Sequence, residues 1–119
     1  MKTSNPVLIP PSTKINDETE TLALHKLFKN HAGNLLVSST KSMMGHLLGA
    51  AGAAEAIATI LALKHDVVFP TVGFKEPDEK CDLNYVVDGA VRKKLKIAIS
   101  NSFGFGGHNA CIVIKKLHK

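Results

Sequence analysis

The chain has 119 residues, room for one domain of ordinary size and a single hydrophobic core. Its 45% hydrophobic and 21% charged content is that of a globular protein, which excludes a disordered or collagen-like chain. Two cysteines, Cys81 and Cys111, cannot make a disulfide framework, and no His or Cys pair has zinc-ligand spacing, so the reading is a reducing compartment with no metal or other cofactor.

The net charge of +5 is unevenly spread. No acidic residue follows Asp88, while Arg92, Lys93, Lys94, Lys96, Lys115, Lys116 and Lys119 do. Such a stretch suits an acidic partner or an anionic ligand, although a solvated basic face is the plainer reading. With 5% aromatics and no Trp there is little to stack on bases, which argues against nucleic acid. Residues 1–11 contain one Lys and no long apolar run, unlike a secretory leader, so the protein reads as cytoplasmic or organellar. The longest apolar stretch, Leu47 to Leu63, is interrupted by Glu55 and Thr59 and suits a buried helix better than a membrane span.

In chain order, residues 1–11, with Pro6, Pro10 and Pro11, read as an irregular lead-in. A first helix is predicted from Asp17, which has capping-box spacing to Glu20; Leu24, Leu27 and Phe28 form its apolar face, and Gly33 stops it. Leu35 to Ser38 reads as a short buried strand. A polar turn then leads into a long helix from about His46 to Lys64. Gly49, Ala50, Ala51, Gly52, Ala53 and Ala54 leave its start nearly bare, as close approach by another backbone would require. Short extended pieces follow at 67–69 and 84–87, with a loop at 74–82 between them. Lys96 to Ser100 and Ala110 to Ile114 are the clearest strands, joined by a Gly-rich bend over 101–109. The order helix, strand, helix, strand, strand predicts a layered α/β protein.

Two segments call for chemistry as well as structure. In SSTKSMMGH (38–46), Lys41 and His46 flank a strand-to-helix junction. The positive end of a helix disfavours the imidazolium, which would keep His46 neutral. Glu55 is the only charge in the Ala-rich helix before its terminal Lys64 and needs a cation, for which Lys41 is the candidate. That pair suits a structural bridge, or a clamp holding a polar loop beside a reacting centre. In NSFGFGGHN (101–109), Gly104, Gly106 and Gly107 allow backbone conformations closed to other residues and leave N–H groups free to face an anion. Glycines alone would make a tight hairpin; Phe103 and Phe105 beside them suit a lid or channel wall.

Together, STKSMMGHLLGAAG (39–52) and SNSFGFGGHN (100–109) closely resemble the C-terminal signatures of elongating β-ketoacyl-acyl-carrier-protein synthases. The spacer resembles them too, at Pro70-Thr71, Pro77-Asp78 and Cys81-Asp82-Leu83, so the likeness spans about residues 12–116, and residues 12–119 are read as the C-terminal part of such a domain. Thiolases share the fold but carry a cysteine in the Gly-rich motif, which this chain lacks. His108 stands where many bacterial members have Thr and plastid-type members often have His.

The resemblance implies a thiolase-like α/β fold and decarboxylative Claisen condensation of an acyl thioester with malonyl-acyl-carrier protein in fatty acid biosynthesis, an acyltransferase activity. It makes His46 the second catalytic histidine, which stabilises an enolate as carbon dioxide leaves, Lys41 the organising lysine, and Glu55 its partner. Phe105 becomes the gating phenylalanine whose N–H serves the oxyanion hole, on a loop that Gly104, Gly106 and Gly107 free to move. Thr13 falls near the pantetheine arm. Implied partners are an acyl carrier protein and, for the whole enzyme, a second copy of itself.

The departures matter equally. Neither Cys81 nor Cys111 stands in the context of the family's nucleophile, and Ile9 holds the place of the first catalytic histidine. The isolated chain is therefore expected to be inactive. The first two strands of the family's half-sheet are expected to be missing, leaving a gap between Leu35 to Ser38 and the last two strands, and exposed edges. The alternatives are a non-catalytic assembly or binding subunit completed by another chain, and a piece of a polyketide-synthase condensing domain.

Overall fold

The computed structural model describes residues 7–9, 14–74 and 79–117. Val7–Ile9 forms strand β1, where an irregular lead-in was expected. The run of Val, Leu and Ile suits a strand, and its neighbours explain why it becomes one. Strand β2, Leu36–Val37, lies parallel to it on one side, with Val7 opposite Leu36. Strand β5, Ile97–Phe103, lies parallel on the other, with Val7 opposite Ala98. Strand β6, Asn109–Lys115, turns back antiparallel against β5, giving the order β2-β1-β5-β6. The expected gap in the middle of the sheet is thus filled by β1. Strand β1 has one partner strand on each side, and these satisfy its backbone.

Helix α1, Lys14–Phe28, begins three residues before the predicted start, so Asp17 sits in its first turn and not at its cap. Short 3-10 turns over Lys29–Asn34 finish it. The predicted long helix from His46 begins five residues late, as helix α3 over Ala51–His65 after a 3-10 turn over Leu48–Ala50, and the predicted polar turn before it contains a short helix α2 over Lys41–Met44. Gly45, at φ 76° and ψ 179°, ends α2 just before the predicted start, and Leu48 at φ 50° lies in the stretch that delays the helix. His46 therefore lies in a link between helices, and the helix-dipole argument for its neutrality does not apply.

Strands β3, Val67–Val68, and β4, Val91–Arg92, form a separate antiparallel pair; β4 was not anticipated. The piece expected at 84–87 is reduced to a bridge between Tyr85 and Val37, held by Val37 N–H donating to Asn84 O and Val86 N–H to Val37 O. It runs along the outer edge of β2 and covers it.

Alternation along the strands divides the core into two halves. Leu36 and Ala98 face one side, where they join Leu63, Val68, Val86 and Leu95, with α3 contributing Leu63. Leu35 and Val37 face the other, where they meet Leu24 of α1, Ala32 and Leu83, with Ile99 packed beside them. The result is a three-layer α/β/α sandwich with α1 and α3 on opposite faces of the sheet. Asp66 fastens the end of α3. Its backbone is left-handed at φ 53°, and its Oδ1 accepts from the Leu95 N–H at 2.9 Å while its Oδ2 accepts from Lys116 Nζ at 2.9 Å.

Candidate functional site

The site is assembled around the polar turn after β2, which is buried through Ser38, Ser39 and Thr40. Hydroxyls satisfy much of this turn. Ser38 Oγ donates to Phe69 O at 2.5 Å, Ser42 Oγ donates to Ser39 O at 2.7 Å, and Thr71 Oγ1 accepts from the Ser39 N–H at 3.0 Å. These bonds pin the turn to residues 69–72 and set the direction in which α2 leaves it.

Lys41, the first residue of α2, reaches into the protein and donates from Nζ to Glu55 Oε1. The pairing expected from Glu55's isolation is present. Lys41 makes this contact from α2, a separate short helix that ends at Gly45. Glu55 is 1% exposed, and its Oε2 lacks a partner among the described residues. An ion pair this deep survives only because each charge has the other, and its loss would strand a buried ion.

A second buried carboxylate, overlooked as a functional residue in the sequence, lies within electrostatic reach of Lys41. Glu20 on α1 is 5% exposed, accepts from Asn101 Nδ2 at 2.7 Å, and has a buried Oε2 without a partner among the described residues. Burial pushes its pKa up to about 7, against the lowering effect of the Asn101 hydrogen bond; Asp17 raises it further and the positive charge of Lys41 lowers it. Capping-box spacing concealed Glu20. The signal that would have exposed it is its position four residues before Leu24 and eight before Phe28, which puts a carboxylate on the buried face of α1.

His46 is exposed, and its Nδ1 accepts from the Leu48 N–H at 3.0 Å. In the neutral ring this leaves the proton on Nε2, so the free nitrogen presents a hydrogen-bond donor. Leu48, the donor of this bond, has a left-handed backbone at φ 50°. No contact joins His46 to the Lys41–Glu55 pair among the described interactions.

The Gly-rich segment is a tight connection between β5 and β6. The Gly104 N–H donates to His108 O at 2.7 Å, and Phe105–Gly107 makes one 3-10 turn. Gly106 at φ 76° and Gly107 at φ 80° adopt the left-handed geometry that this turn needs. Close approach of α3 to this end of β5 holds at Gly52 alone: a Cβ there would stand 3.9 Å from Ser102 Oγ, whereas Gly49 faces open space. Phe103, Glu20, Asn101, Ala110 and Cys111 line a cavity of about 350 Å³ between α1 and the sheet. The structure thus brings Lys41 and Glu55 together, with Lys41 close enough to influence Glu20. It sets Phe103 and Glu20 on the wall of one cavity and keeps His46 on the surface. Thr13 lies outside the described residues. Among those residues, no group of three His, Cys, Asp or Glu side chains could hold a metal ion, and no helix is long and apolar enough to cross a membrane.

A mixed four-stranded sheet with helices on both faces and a polar turn clamped by a buried Lys–Glu pair defines a thiolase-like condensing-enzyme fold. A solved ketosynthase of a type II polyketide synthase, in complex with its acyl-carrier protein, superposes with a TM-score of 0.90 at 33% identity, over 96% of this chain and 28% of that one. Residues 11–75 match the family described as "Beta-ketoacyl synthase, C-terminal domain". The chain belongs to the β-ketoacyl synthase family and represents part of its C-terminal portion. It is 51% identical to 3-oxoacyl-[acyl-carrier-protein] synthase 2 of Synechocystis sp. over 88% of this chain and 25% of that protein. The Coxiella burnetii protein of the same name is 46% identical over 89% of this chain and 26% of its own length. The chain therefore spans about a quarter of these relatives.

Proposed function

We propose that this chain supplies the enolate-stabilising part of a 3-oxoacyl-[acyl-carrier-protein] synthase active site, for decarboxylative Claisen condensation between an acyl thioester and malonyl-acyl-carrier protein in fatty acid biosynthesis. The observation that carries the reading is the buried Lys41–Glu55 pair. It anchors the turn that delivers His46 with its Nε2–H free to donate. As carbon dioxide leaves the malonyl group, negative charge gathers on the thioester oxygen, and a preorganised N–H donor stabilises it. The backbone N–H of Phe105 would serve the oxyanion on the acyl side, with Gly104, Gly106 and Gly107 shaping the turn around it. Thr13 is assigned to the pantetheine arm of the carrier.

The nucleophilic cysteine and the first histidine must come from outside these residues. Cys111 is exposed on β6, and Ile9 lies in β1. By itself the chain should transfer no acyl group. The partners of the complete enzyme are an acyl carrier protein and a second copy of the enzyme, in a cytoplasmic or organellar compartment. A polyketide role draws support from the fold of the type II ketosynthase, but the higher identity to the 3-oxoacyl synthases favours fatty acid elongation.

The test combines this chain with the part of the Synechocystis relative that it does not match and measures carbon–carbon bond formation from malonyl and acyl carrier protein. Activity that His46→Ala abolishes is the expected result. Condensation by the chain alone, or full activity with His46→Ala, would refute the assignment.

A further inference from the structure

The two ends of the sheet differ in charge. Strands β2, β1 and β5 are parallel, so the polar turn after β2 and the Gly-rich turn after β5 share one end. At the other end β5 begins, β6 finishes and α3 stops, and there the basic residues that the sequence spreads over 92–96 and 115–116 are drawn together. Asp66 is their hub. Its carboxylate accepts from the Leu95 N–H and from Lys116 Nζ, its backbone O accepts from the Lys93 N–H, and Lys94 acts on it at longer range. Lys116 N–H donates to Lys96 O, Ile97 lies opposite Lys115, and Arg92 leads from β4 into Lys93.

A single carboxylate leaves this end strongly positive. Among the described residues, Asp66 is the one acidic side chain in ion-pair contact with any of Arg92, Lys93, Lys94, Lys96, Lys115 and Lys116, and all of these but Lys116 are exposed. Like charges gathered in this way repel one another, and an outside anion relieves the repulsion. Their arrangement indicates the kind of anion. The cavity beside Glu20 is lined by none of these residues, and exposed ammonium groups on flexible stems are not preset for one small ion. No aromatic residue lies between Tyr85 and Phe103 or after Phe105, so nucleic acid bases find nothing to stack on. Lys116, two residues after Ile114 of the α3 half of the core, lies on the α3 face of the sheet, and alternation puts Lys115 on the α1 face. Cations that wrap round both faces exceed what one flat bilayer surface can meet, and match a folded partner that carries carboxylates.

We propose that this end of the sheet is a docking surface for an acidic protein, separate from the turns of the candidate site. Strand β5 has seven residues, which puts its two ends about 20 Å apart. A partner seated on Lys93, Lys94, Lys96 and Lys115 therefore leaves the turn at 38–46 and the Gly-rich turn uncovered, and stays bound while a carrier occupies them. The surface serves association and does not depend on the condensation chemistry proposed above.

The test titrates the isotope-labelled 119-residue chain with a short poly-glutamate peptide at low salt and follows the backbone amide shifts. The expected result is saturable shifts at 92–96 and 115–116 with none at 38–46 or 103–108, and an affinity that falls at least about tenfold when about 0.2 M NaCl is added. Charge reversal by Lys93→Glu with Lys94→Glu should weaken binding at least about tenfold, whereas Lys26→Glu with Lys29→Glu, exposed at the end of α1, should change it less than about twofold. The shift map of the parent chain reads the surface even where a variant fails to fold. Absence of saturable shifts, or shifts spread evenly over the lysines of the chain, would overturn the proposal. So would equal losses in the two variant pairs, or tighter binding of a DNA duplex or of phosphatidylglycerol vesicles than of the peptide.

Discussion

Replacing Glu20 by Gln tests the buried network through its pH dependence. In the folded chain burial lifts the Glu20 carboxyl from an ordinary value of 4.5 to about 7. At about 1.4 kcal/mol per pH unit, holding this group ionised in the folded state costs about 3 kcal/mol. The folded state keeps the proton up to about pH 7, and the unfolded chain releases it near 4.5. Glu20's relative contribution to stability is therefore fully present below pH 4.5 and is lost as pH rises through 7. Gln keeps the acceptor for Asn101 and carries no charge. Urea unfolding followed by circular dichroism should give Glu20→Gln and the parent similar stability at pH 4.5, and the variant an advantage approaching 3 kcal/mol at pH 8. Comparing the two proteins cancels every other titrating group. A stability difference that stays constant between pH 4.5 and 8, or that favours the parent at pH 8, would refute the reasoning.

Lys41→Ala should destabilise the chain by about 3–5 kcal/mol, because it leaves the buried Glu55 carboxylate unpaired; Lys41→Ala combined with Glu55→Gln should recover part of that loss, as a denaturant double-mutant cycle would show. Gly52→Ala should raise thermal stability by about 1 kcal/mol, since the new methyl has 3.9 Å to Ser102 Oγ and the helix gains a better former. Gly106→Ala should lower it by about 1–2 kcal/mol, because φ 76° is disfavoured for any side chain, and thermal melts of the pair should move in opposite directions. The Leu95 N–H and the Lys116 ammonium hold the Asp66 carboxyl below its ordinary range, so its contribution is present at neutral pH and is lost as the solution becomes more acidic than about pH 4. In Asp66→Ala that acid-sensitive component should disappear from the pH–stability profile.

Much of the fold was legible because its signals are local. The apolar spacing of α1, the strand character of β5 and β6, and the glycines between them follow from residues close in the chain. Those same local signals misled where distant partners decide. Val7–Ile9 looked irregular beside its prolines, but β2 and β5 supply hydrogen-bond partners from 29 and 91 residues away in register, and a strand results. The helix expected from His46 was a continuous apolar pattern, but Leu48 takes a left-handed backbone and the helix proper starts only at Ala51, while Lys41 reaches Glu55 from the separate short helix α2.

The candidate site divides the same way. Lys41 and Glu55 could be paired from sequence because an isolated charge in an apolar helix must find a counterion, whatever the path between them. The resemblance supplied His46 and Phe105 by motif. Glu20 could not be distinguished from an ordinary capping residue until α1 packed its face against Asn101 and removed the carboxylate from water. The sequence alone thus determined the family, the two motifs and the need for a buried ion pair, since these depend on residue identity and spacing. Tertiary structure decided which polar groups are desolvated, where the long helix begins and which sheet edge is covered, because burial and hydrogen-bond pairing depend on segments far apart in the chain.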